Sequence, residues 1–311
     1  MKYVYGPVPS RRLGRSLGID PIPSKTCNYQ CIYCQLGKTT NLTNEREEFY
    51  PEEEIYIEME ESINKNKEKF DYITFVGSGE PTLCKSLGKL ILKAKEYSSK
   101  PICVITNGAL LYSPEVRKEL MSADVVLPSL DAGDEKSFIR INRPYPSVKY
   151  NVMIDGLRKF KSEFKGKFWI EIMIIRGIND SKEELMKIKE KIDLIKPDRI
   201  DINIPIRPPV ENWVEVPDKA IVPLLNEIFG KYSDISFPEM GKFGLYSEDF
   251  KKELLHILER HPMRQEQIIE TFKSESFTDD KILLKLEKLE SEKIIKKWNY
   301  HDKIFWQLTL D

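Results

Sequence analysis

The sequence predicts an α/β fold: a partial (β/α)6 barrel followed by a small C-terminal domain. Two observations predict the barrel. Apolar strand-like runs alternate with amphipathic helical stretches over residues 15–231, and polar or glycine-rich segments follow the strands. A third observation predicts the second domain, because the composition shifts to Lys, Glu and Leu from Ser247 onward. A chain of 311 residues that is 41% hydrophobic has room for one large and one small domain, which we place at residues 1–245 and 246–311.

The strands of the barrel are expected where short apolar runs are rich in Val, Ile, Tyr or Phe. These runs cover residues 15–20, 72–77, 102–106, 125–130, 169–175 and 199–204. The helices are expected where helical periodicity or helix-start signals follow each run. These stretches cover residues 52–67, 87–97, 114–121, 149–164, 182–195 and 218–231.

The C-terminal domain shows three helical patterns and then two strand-like runs. The helices are expected at residues 248–260, 264–273 and 278–293, and the strands at 294–298 and 304–308. Three helices and a hairpin resemble a winged-helix domain, which often binds nucleic acid through its third helix. Acidic and basic residues alternate along the third helix here, so nucleic-acid binding, protein contact and a lid over the barrel all stay open.

Composition excludes several classes of protein. The chain carries 49 Lys and Arg against 50 Asp and Glu, so its net charge does not indicate a nucleic-acid or membrane partner. Its longest apolar runs, such as residues 72–76 and 170–175, are far shorter than the roughly 20 residues of a membrane helix. The first twenty residues lack the apolar stretch of a secretory signal, so we expect a reducing, cytoplasmic location.

Three of the five cysteines are clustered with the spacing C-x3-C-x2-C, at Cys27, Cys31 and Cys34. Clustered thiolates suit zinc or an iron–sulfur cluster. Structural zinc normally takes four ligands, and the three histidines all lie beyond residue 255. A [4Fe–4S] cluster normally takes four thiolates, so three would leave one iron open to another ligand. We expect such a cluster, with an ordinary three-thiolate metal loop as the alternative.

The other two cysteines, Cys84 and Cys103, stand alone in the sequence and are expected to be small buried hydrophobic residues. They are too few to complete a second all-cysteine [4Fe–4S] cluster within this chain. The sequence therefore predicts one cluster.

The cysteine spacing, with Tyr33 directly before the last cysteine, resembles the signature of the radical S-adenosylmethionine (SAM) superfamily. The resemblance implies a radical SAM barrel in which the open iron binds the amino and carboxylate groups of SAM. It also implies that one electron cleaves SAM to methionine and a 5′-deoxyadenosyl radical. An electron donor of flavodoxin or ferredoxin type would then be a partner.

A glycine-rich segment follows the second predicted strand, with Gly77, Ser78, Gly79 and Glu80 in succession. It resembles the GGEP motif of the superfamily with Ser78 inserted between the glycines. In relatives that motif contacts the amino group of SAM, which implies a cofactor-binding role for Gly77, Gly79 and Glu80. The alternative is a glycine-rich turn in which Pro81 opens the next helix.

Later strand ends also carry polar residues, and the resemblance implies that they bind SAM as well. These residues are Thr106, Asn107, Ser129, Asp131 and Arg176. By resemblance the first two serve the carboxylate and ribose. The alternatives are an Asn-Gly turn at Asn107, a helix cap at Asp131 and a surface turn at Arg176.

Two neighbouring residues of the run RINRP, Asn142 and Arg143, are further candidates. An amide and a guanidinium can hold a carboxylate or a phosphate. The alternative is an ion pair within a loop.

The N-terminal run GPVPSRRLGRSLGID and the run KTCNYQCIYCQLG resemble radical SAM proteins related to the wyosine-forming tRNA enzymes, over residues 1 to about 210. Archaeal wyosine enzymes carry further cysteines upstream for a second cluster, whereas here no cysteine precedes Cys27. That difference argues against the wyosine reaction itself and leaves the substrate unidentified.

RNA modification is the substrate hypothesis, and it draws on a basic N-terminal arm. In the first forty residues Asp20 is the one acidic residue, opposed by Lys2, Arg11, Arg12, Arg15, Lys25 and Lys38. Peptide modification and cofactor biosynthesis fit the barrel equally. A different class of protein, a metal-bound nucleic-acid-binding or regulatory protein without radical chemistry, is the alternative function.

Overall fold

The computed structural model describes residues 1–230, 241–275 and 277–309. The strands of its N-terminal part are β1 (Val4–Ser10), β2 (Gly14–Ile19), β3 (Thr26–Cys27), β4 (Asn41–Leu42), β5 (Tyr72–Phe75), β6 (Ile102–Thr106), β7 (Val125–Pro128), β8 (Lys167–Met173) and β9 (Arg199–Asn203). The helices are α1 (Glu52–Lys65), α2 (Leu87–Tyr97), α3 (Pro114–Leu120), α4 (Glu135–Asn142), α5 (Tyr150–Glu163), α6 (Lys182–Ile195) and α7 (Ile221–Phe229).

Seven of the strands form one curled half-barrel sheet in the order β1-β2-β5-β6-β7-β8-β9. The pairs from β2 to β9 are all parallel, whereas β1 pairs antiparallel with β2. This confirms the predicted α/β partial barrel, and all six predicted strands are present. The last predicted helix, at 218–231, is observed at Ile221–Phe229, and residue 231 lies outside the described residues.

Strand β1 and helix α4 were not predicted from the sequence. Strand β1 contains Pro7 and Pro9, which weigh against a strand, but proline is tolerated on an edge strand because fewer of its N–H groups are needed for pairing. Helix α4 has only eight residues, and its cap is Asp134, whose carboxylate accepts from Ser137 N at 2.8 Å. Asp131 therefore does not cap this helix, and that alternative is wrong.

The two faces of the sheet differ in what they bury. One face packs against the helices in the largest hydrophobic cluster, which includes Cys84. The opposite face buries a smaller cluster that includes Cys103 and Trp169. Both solitary cysteines are therefore buried in apolar surroundings, as predicted, and burial raises the pKa of Cys84 to about 11 and that of Cys103 to about 12.

The basic residues of the N-terminal arm contact several different parts of the fold. Two of its arginines, in the β1–β2 turn, reach across to strands β8 and β9, where Arg11 Nη2 donates to Asn203 Oδ1 at 2.6 Å and Arg12 pairs with Glu171. Arg15 pairs with Asp71 at 3.0 Å. A β-hairpin places its turn residues well away from the strand residues that follow them, so one run of basic sequence is divided among several neighbours.

The C-terminal part contains α8 (Phe250–Leu258), β10 (Met263–Arg264), α9 (Gln265–Phe272), α10 (Asp279–Ser291), β11 (Ile295–Tyr300) and β12 (Lys303–Leu308). Its three strands form an antiparallel sheet in the order β10-β12-β11, and the short β10 was not predicted. A separate hydrophobic cluster around Leu254, Ile282 and Trp306 also takes in Tyr5 and Val8 of β1. Of the proline-containing stretch before this part, residues 238–240 lie outside the described residues. Within the described ranges, the helices all fall short of the length and apolarity of a membrane span.

Candidate functional site

The loop after β2 carries the three clustered cysteines and is fixed to the end of α4. Ile32 N donates to Ile141 O at 2.9 Å, and Gln30 N donates to Asn142 O at 3.0 Å. The three thiols are free and partly buried. The cysteine spacing therefore lies on a loop whose position is set by backbone hydrogen bonds from a distant part of the chain.

Each cysteine sulfur accepts a hydrogen bond from a side chain outside the C-x3-C-x2-C run. The donors are Lys25 Nζ to Cys34 Sγ at 3.6 Å, Asn107 Nδ2 to Cys27 Sγ at 3.7 Å and Asn142 Nδ2 to Cys31 Sγ at 3.5 Å. Donors of this kind stabilise the thiolate form, because a hydrogen bond to a charged acceptor is stronger than one to a neutral acceptor. They also influence the reduction potential of an iron–sulfur cluster.

Two of these thiols, Cys27 and Cys31, are poor nucleophiles in this environment. Burial raises the pKa of Cys27 to about 12 and that of Cys31 well above its usual range. Both groups would be protonated at neutral pH, and binding of a metal would be needed to hold them as thiolates. The Cys27 and Cys31 sulfurs thus depend on a cationic partner for their ionised form.

The donor set fits an iron–sulfur cluster. Among the described residues, no group of three or more His, Cys, Asp or Glu side chains meets as ligands of a single metal ion. A [4Fe–4S] cluster instead uses thiolates, one for each iron that the protein binds. Three thiols on one loop, each with an N–H donor, fit that chemistry and leave one iron without a ligand from Cys27, Cys31 or Cys34.

Lys25, which the sequence predicts only as part of the basic arm, is a member of this site. Its side chain is buried, and its Nζ also donates to Gly37 O at 2.7 Å. Its backbone lies in the left-handed region, with φ of 62°, which is strained for a residue other than glycine. The surrounding loop therefore holds a cation beside Cys34, two residues before the first cysteine.

The glycine-rich segment lies directly against the cysteine loop. Ser78 O accepts from Lys25 N at 2.9 Å, and Glu80 N donates to Thr26 O at 3.1 Å. A Cβ on Gly79 would overlap the Thr26 carbonyl oxygen, and a Cβ on Gly77 would overlap the Asp20 carboxyl group. Both glycines permit a close approach between protein segments, and their role toward SAM stays a prediction.

Replacing Gly79 with alanine should displace the cysteine loop, because the obstructing atom belongs to the backbone and cannot rotate away. Overpacking of this kind costs about 1–3 kcal/mol. We expect the variant to unfold at lower urea concentration and to bind less iron after reconstitution. Gly177→Ala is the control, since its Cβ would have open space and only its positive φ would be unfavourable. Equal iron content in the two variants would contradict the expected loop displacement.

Glu80 joins the glycine-rich segment to the end of β6. Its Oε1 accepts from Thr82 Oγ1 and from Thr106 Oγ1, both at 2.5 Å, and its Oε2 accepts from Asn107 N at 2.7 Å. Burial raises its pKa, and these donors oppose the increase. Oε2 accepts one hydrogen bond within the described structure, which leaves a lone pair for an ammonium group.

The helix expected to open at Pro81 is only a short 3-10 turn over Pro81–Leu83, which Glu80 caps. The next helix, α2, begins at Leu87. The turn interpretation is thus partly right about the backbone. It does not account for the convergence of Glu80, Thr106 and Asn107 beside Cys27.

Asp131 lies at the end of β7 and connects the cysteine loop to α4. Its Oδ2 accepts from the Tyr33 hydroxyl at 2.6 Å and from Asn142 Nδ2 at 2.8 Å, and its Oδ1 accepts from Met173 N at 2.9 Å. Asn142 therefore bonds to both Asp131 and Cys31. Asp131 and Asn142 thus hold the cysteine loop through Tyr33 and Cys31. Direct contact of Asp131 or Tyr33 with SAM stays a prediction.

The stability of the protein should depend on the ionisation of Asp131. Burial raises its pKa to about 6, against about 3.9 in an unfolded chain. The folded state binds the Asp131 proton more tightly than the unfolded chain does. The protonated carboxyl therefore contributes fully to the free energy of unfolding below pH 4, and this contribution is lost as pH rises through 6. A shift of two units corresponds to about 2–3 kcal/mol.

The measurement compares the free energy of unfolding of the cluster-free wild type and Asp131→Asn at several pH values. The wild type should gain about 2–3 kcal/mol relative to the variant between pH 7 and pH 4. A difference between the two proteins that stays constant across this range would contradict the assignment.

Three other residues predicted from the sequence, Ser129, Arg143 and Arg176, make no hydrogen bond to a cysteine sulfur within the described part of the chain. Ser129 is half-buried, and its backbone N donates to Thr106 O at 3.1 Å. Arg176 is exposed and pairs with Glu215 at 3.3 Å. Arg143 pairs with Glu211, which is the loop ion pair considered as its alternative. Whether Ser129 and Arg176 contact SAM stays a prediction.

Comparison with known proteins identifies a family for this chain. The model of the Radical SAM superfamily matches residues 22–188. A UPF0026 protein of Methanocaldococcus jannaschii is 38% identical over 319 residues, covering 100% of this chain and 97% of that protein. A protein of Brachyspira hyodysenteriae named GTPase Obg is 50% identical over 201 residues, which is 65% of this chain but only 29% of that protein.

Two solved structures resemble this chain to different degrees. Streptococcus suis SuiB bound to the precursor peptide SuiA has a TM-score of 0.52 at 14% identity, covering 73% of this chain and 50% of that chain. TYW1 with a lysine-pyruvate adduct bound has a TM-score of 0.48 at 18% identity, covering 96% of this chain and 82% of that chain. The SuiB likeness at this identity concerns the fold alone.

Proposed function

This chain belongs to the Radical SAM superfamily, and on that premise we propose that it is an enzyme with one [4Fe–4S] cluster held by Cys27, Cys31 and Cys34. The observation that carries the proposal is that each of these three sulfurs accepts a hydrogen bond from a side-chain nitrogen outside the cysteine run. When bound, the cluster and SAM supply on one-electron reduction a 5′-deoxyadenosyl radical, which abstracts hydrogen from a substrate.

The residues around the sulfurs have separate tasks in this proposal. Lys25, Asn107 and Asn142 stabilise the thiolates, since each donates to one sulfur. Asp131 orients Asn142 and Tyr33. These residues keep the cysteine loop, which with its three ligands Cys27, Cys31 and Cys34 is the ligand loop of the proposed cluster, in one geometry that is preorganised for cluster binding.

The SAM site is proposed beside the ligand loop, at the ends of β5, β6 and β7. Glu80 Oε2 accepts a hydrogen bond from Asn107 N and has a further lone pair, which would accept a hydrogen bond from the amino group of SAM. The other proposed contacts are Tyr33, Gly77, Gly79, Thr106, Asn107, Ser129, Asp131 and Arg176. The carboxyl ends of parallel strands form the ligand-binding edge of such barrels, which supports this location.

The partners follow from the same chemistry. The enzyme needs a one-electron reductant, and we propose a flavodoxin or ferredoxin type of donor. None of the five cysteines, all of which lie in the described residues, is in a disulfide, which is consistent with a reducing compartment, so we propose the cytoplasm.

For the substrate we propose RNA, and for residues 246–311 a winged-helix-like domain that contributes to its binding. The order of three helices and three strands in this part supports the second proposal. The proposed domain boundary at residue 245 falls just before α8.

The test of the proposed activity is anaerobic. The purified protein is reconstituted with iron and sulfide, mixed with SAM and a strong reductant, and 5′-deoxyadenosine is measured by mass spectrometry. We expect product from the wild type and none from Cys31→Ala. If a fully loaded protein forms no product, the EPR spectrum of the reduced cluster is recorded with and without SAM. An unchanged spectrum would overturn the enzyme proposal and favour a protein that uses its metal for structure alone.

A further inference from the structure

A cavity of about 550 Å³ separates the cysteine loop from the C-terminal hairpin β11–β12. Three parts of the chain line it: the cysteine loop, the segment after β9 and the hairpin. Its polar and aromatic lining includes Lys25, Lys38, Lys296, Trp298 and Gln307. The volume is within the range of about 300–1,000 Å³ that is usual for small-molecule sites.

The charge of this cavity favours an anion. Three of its described lining residues are lysines, and none of the described ones is Asp or Glu. Lys25 Nζ is already held by Gly37 O and Cys34 Sγ, so its cation has a fixed position at the wall shared with the cysteine loop. Lys38, unlike the buried Lys25, is exposed to solvent. A concave site with one sign of charge concentrates ligands of the other sign.

An aromatic side chain, Trp298, also lines this cavity. The Gln307 side-chain oxygen, in the amide orientation that satisfies its neighbours, accepts from Trp298 Nε1 at 2.7 Å and from Lys296 Nζ at 3.3 Å. The polar edge of the indole is therefore satisfied within the hairpin. Lys296 Nζ lies over one face of the Trp298 ring, 5.1 Å from its centre, so a base would stack on the opposite face. A planar ring next to cations is a combination that binds a base together with its phosphate.

The walls of the cavity are fixed to one another across the fold. The Tyr300 hydroxyl donates to Pro205 O at 2.6 Å, which connects the hairpin to the segment after β9. Arg207 Nη1 donates to Gln35 Oε1 at 2.6 Å, which connects that segment to the cysteine loop. The cavity is thus formed in advance, and a ligand would not have to order its walls.

We propose that this cavity binds a nucleotide, with its phosphate near Lys38 and Lys296 and its base on the ring of Trp298. The nucleotide can belong to an RNA strand or be free in solution, and both present the same chemistry. Lys25 would then separate the bound phosphate from Cys34. The identification of this ligand as the substrate rests on the proposed radical SAM function, whereas binding in the cavity does not.

The test measures binding and not turnover, so its failure is distinguishable from failure of the proposed activity. The reconstituted protein is saturated with SAM to fill the other nucleoside site, and two probes are titrated anaerobically. One probe is GTP, followed by calorimetry, and the other is a fluorescein-labelled single-stranded RNA of mixed sequence, followed by anisotropy. Binding of either supports the proposal, and the tighter probe identifies the source of the nucleotide.

Three variants determine where the probe binds. Lys296→Glu and Trp298→Ala should each weaken binding about tenfold or more. Lys296→Glu replaces a cation beside the phosphate with an anion, and Trp298→Ala removes the ring on which the base stacks. Lys297→Glu is the matched control, since Lys297 is the next residue of β11 and does not line the cavity. Its binding should change by less than about threefold.

A footprint on the wild type keeps the test valid if a variant folds poorly. Bound probe should protect Lys38 and Lys296 from acetylation, while the exposed Lys297 stays reactive. Binding of neither probe, equal weakening by Lys296→Glu and Lys297→Glu, or the absence of protection would overturn the proposal.

Discussion

Cys31→Ala is expected to lose nearly all of its iron after reconstitution, whereas Cys84→Ala and Cys103→Ala are expected to keep it. Cys31 is one of three thiols on the loop after β2, and its sulfur accepts from Asn142 Nδ2. Removing one ligand leaves two thiolates, which is too few to hold a cubane that normally takes four. Iron and acid-labile sulfide per chain and the EPR signal of the reduced cluster measure the loss.

The two control cysteines make this comparison specific. Cys84 and Cys103 lie in hydrophobic clusters on opposite faces of the sheet, with exposures of 2% and 0%. Their replacement by alanine removes one buried sulfur each and has a cost in packing but none in ligands. If Cys31→Ala retained its iron, or if Cys84→Ala lost as much as Cys31→Ala, the assignment of the ligand loop would be wrong.

Arg260→Met is expected to be the most destabilising single change outside the ligand loop. Arg260 Nε donates to Asp20 Oδ2 at 3.0 Å, and the two side chains are only 6% and 1% exposed. Removing one partner of a buried ion pair leaves an uncompensated charge and costs about 3–5 kcal/mol. Urea unfolding of the wild type and the variant at neutral pH measures this cost.

The pair also explains why this change should affect the cluster. Asp20 directly follows β2, where the cysteine loop begins, and its Oδ2 also accepts from Ser78 Oγ at 2.8 Å. Arg260 Nη2 donates in addition to Lys2 O at 2.7 Å. One arginine after α8 therefore holds the chain terminus, the end of β2 and the glycine-rich segment together. We expect Arg260→Met to retain less iron than the wild type.

Two controls separate the buried pair from a general effect of removing an arginine. Arg158→Met breaks an exposed pair with Asp155 and should cost no more than about 1 kcal/mol. The double variant Asp20→Asn with Arg260→Met removes both charges and should be more stable than Arg260→Met alone. Additive costs in the double variant would show that the two side chains do not act as a pair.

The elements that the sequence predicted correctly depend on short-range patterns. The strand over Ile102–Thr106 and the helices over Leu87–Tyr97 and Lys182–Ile195 have the predicted bounds, because each is a continuous run with one periodicity. The cysteine spacing is equally local. Strand β1 and helix α4 were missed because an edge position compensates for prolines in one, and the other is too short for a periodic signal.

The site contains contacts that no local pattern could reveal. Asn107 and Asn142 lie far along the chain from the cysteines to which they donate. Asn107 directly follows β6 and Asn142 ends α4, and both reach the sulfurs because the fold packs these elements against the cysteine loop. Trp298 and Lys38 line one cavity because the C-terminal hairpin packs beside the cysteine loop.

The sequence by itself determined the fold class, the three candidate ligands and their number, because backbone propensity and cysteine spacing are properties of neighbouring residues. Only the tertiary structure decided which side chains donate hydrogen bonds to the sulfurs and to Asp131, and which arginine pairs with Asp20. The physical reason is that hydrogen bonds and ion pairs act over a few ångströms in space. Their partners are therefore chosen by how strands and helices pack, which no short stretch of sequence specifies.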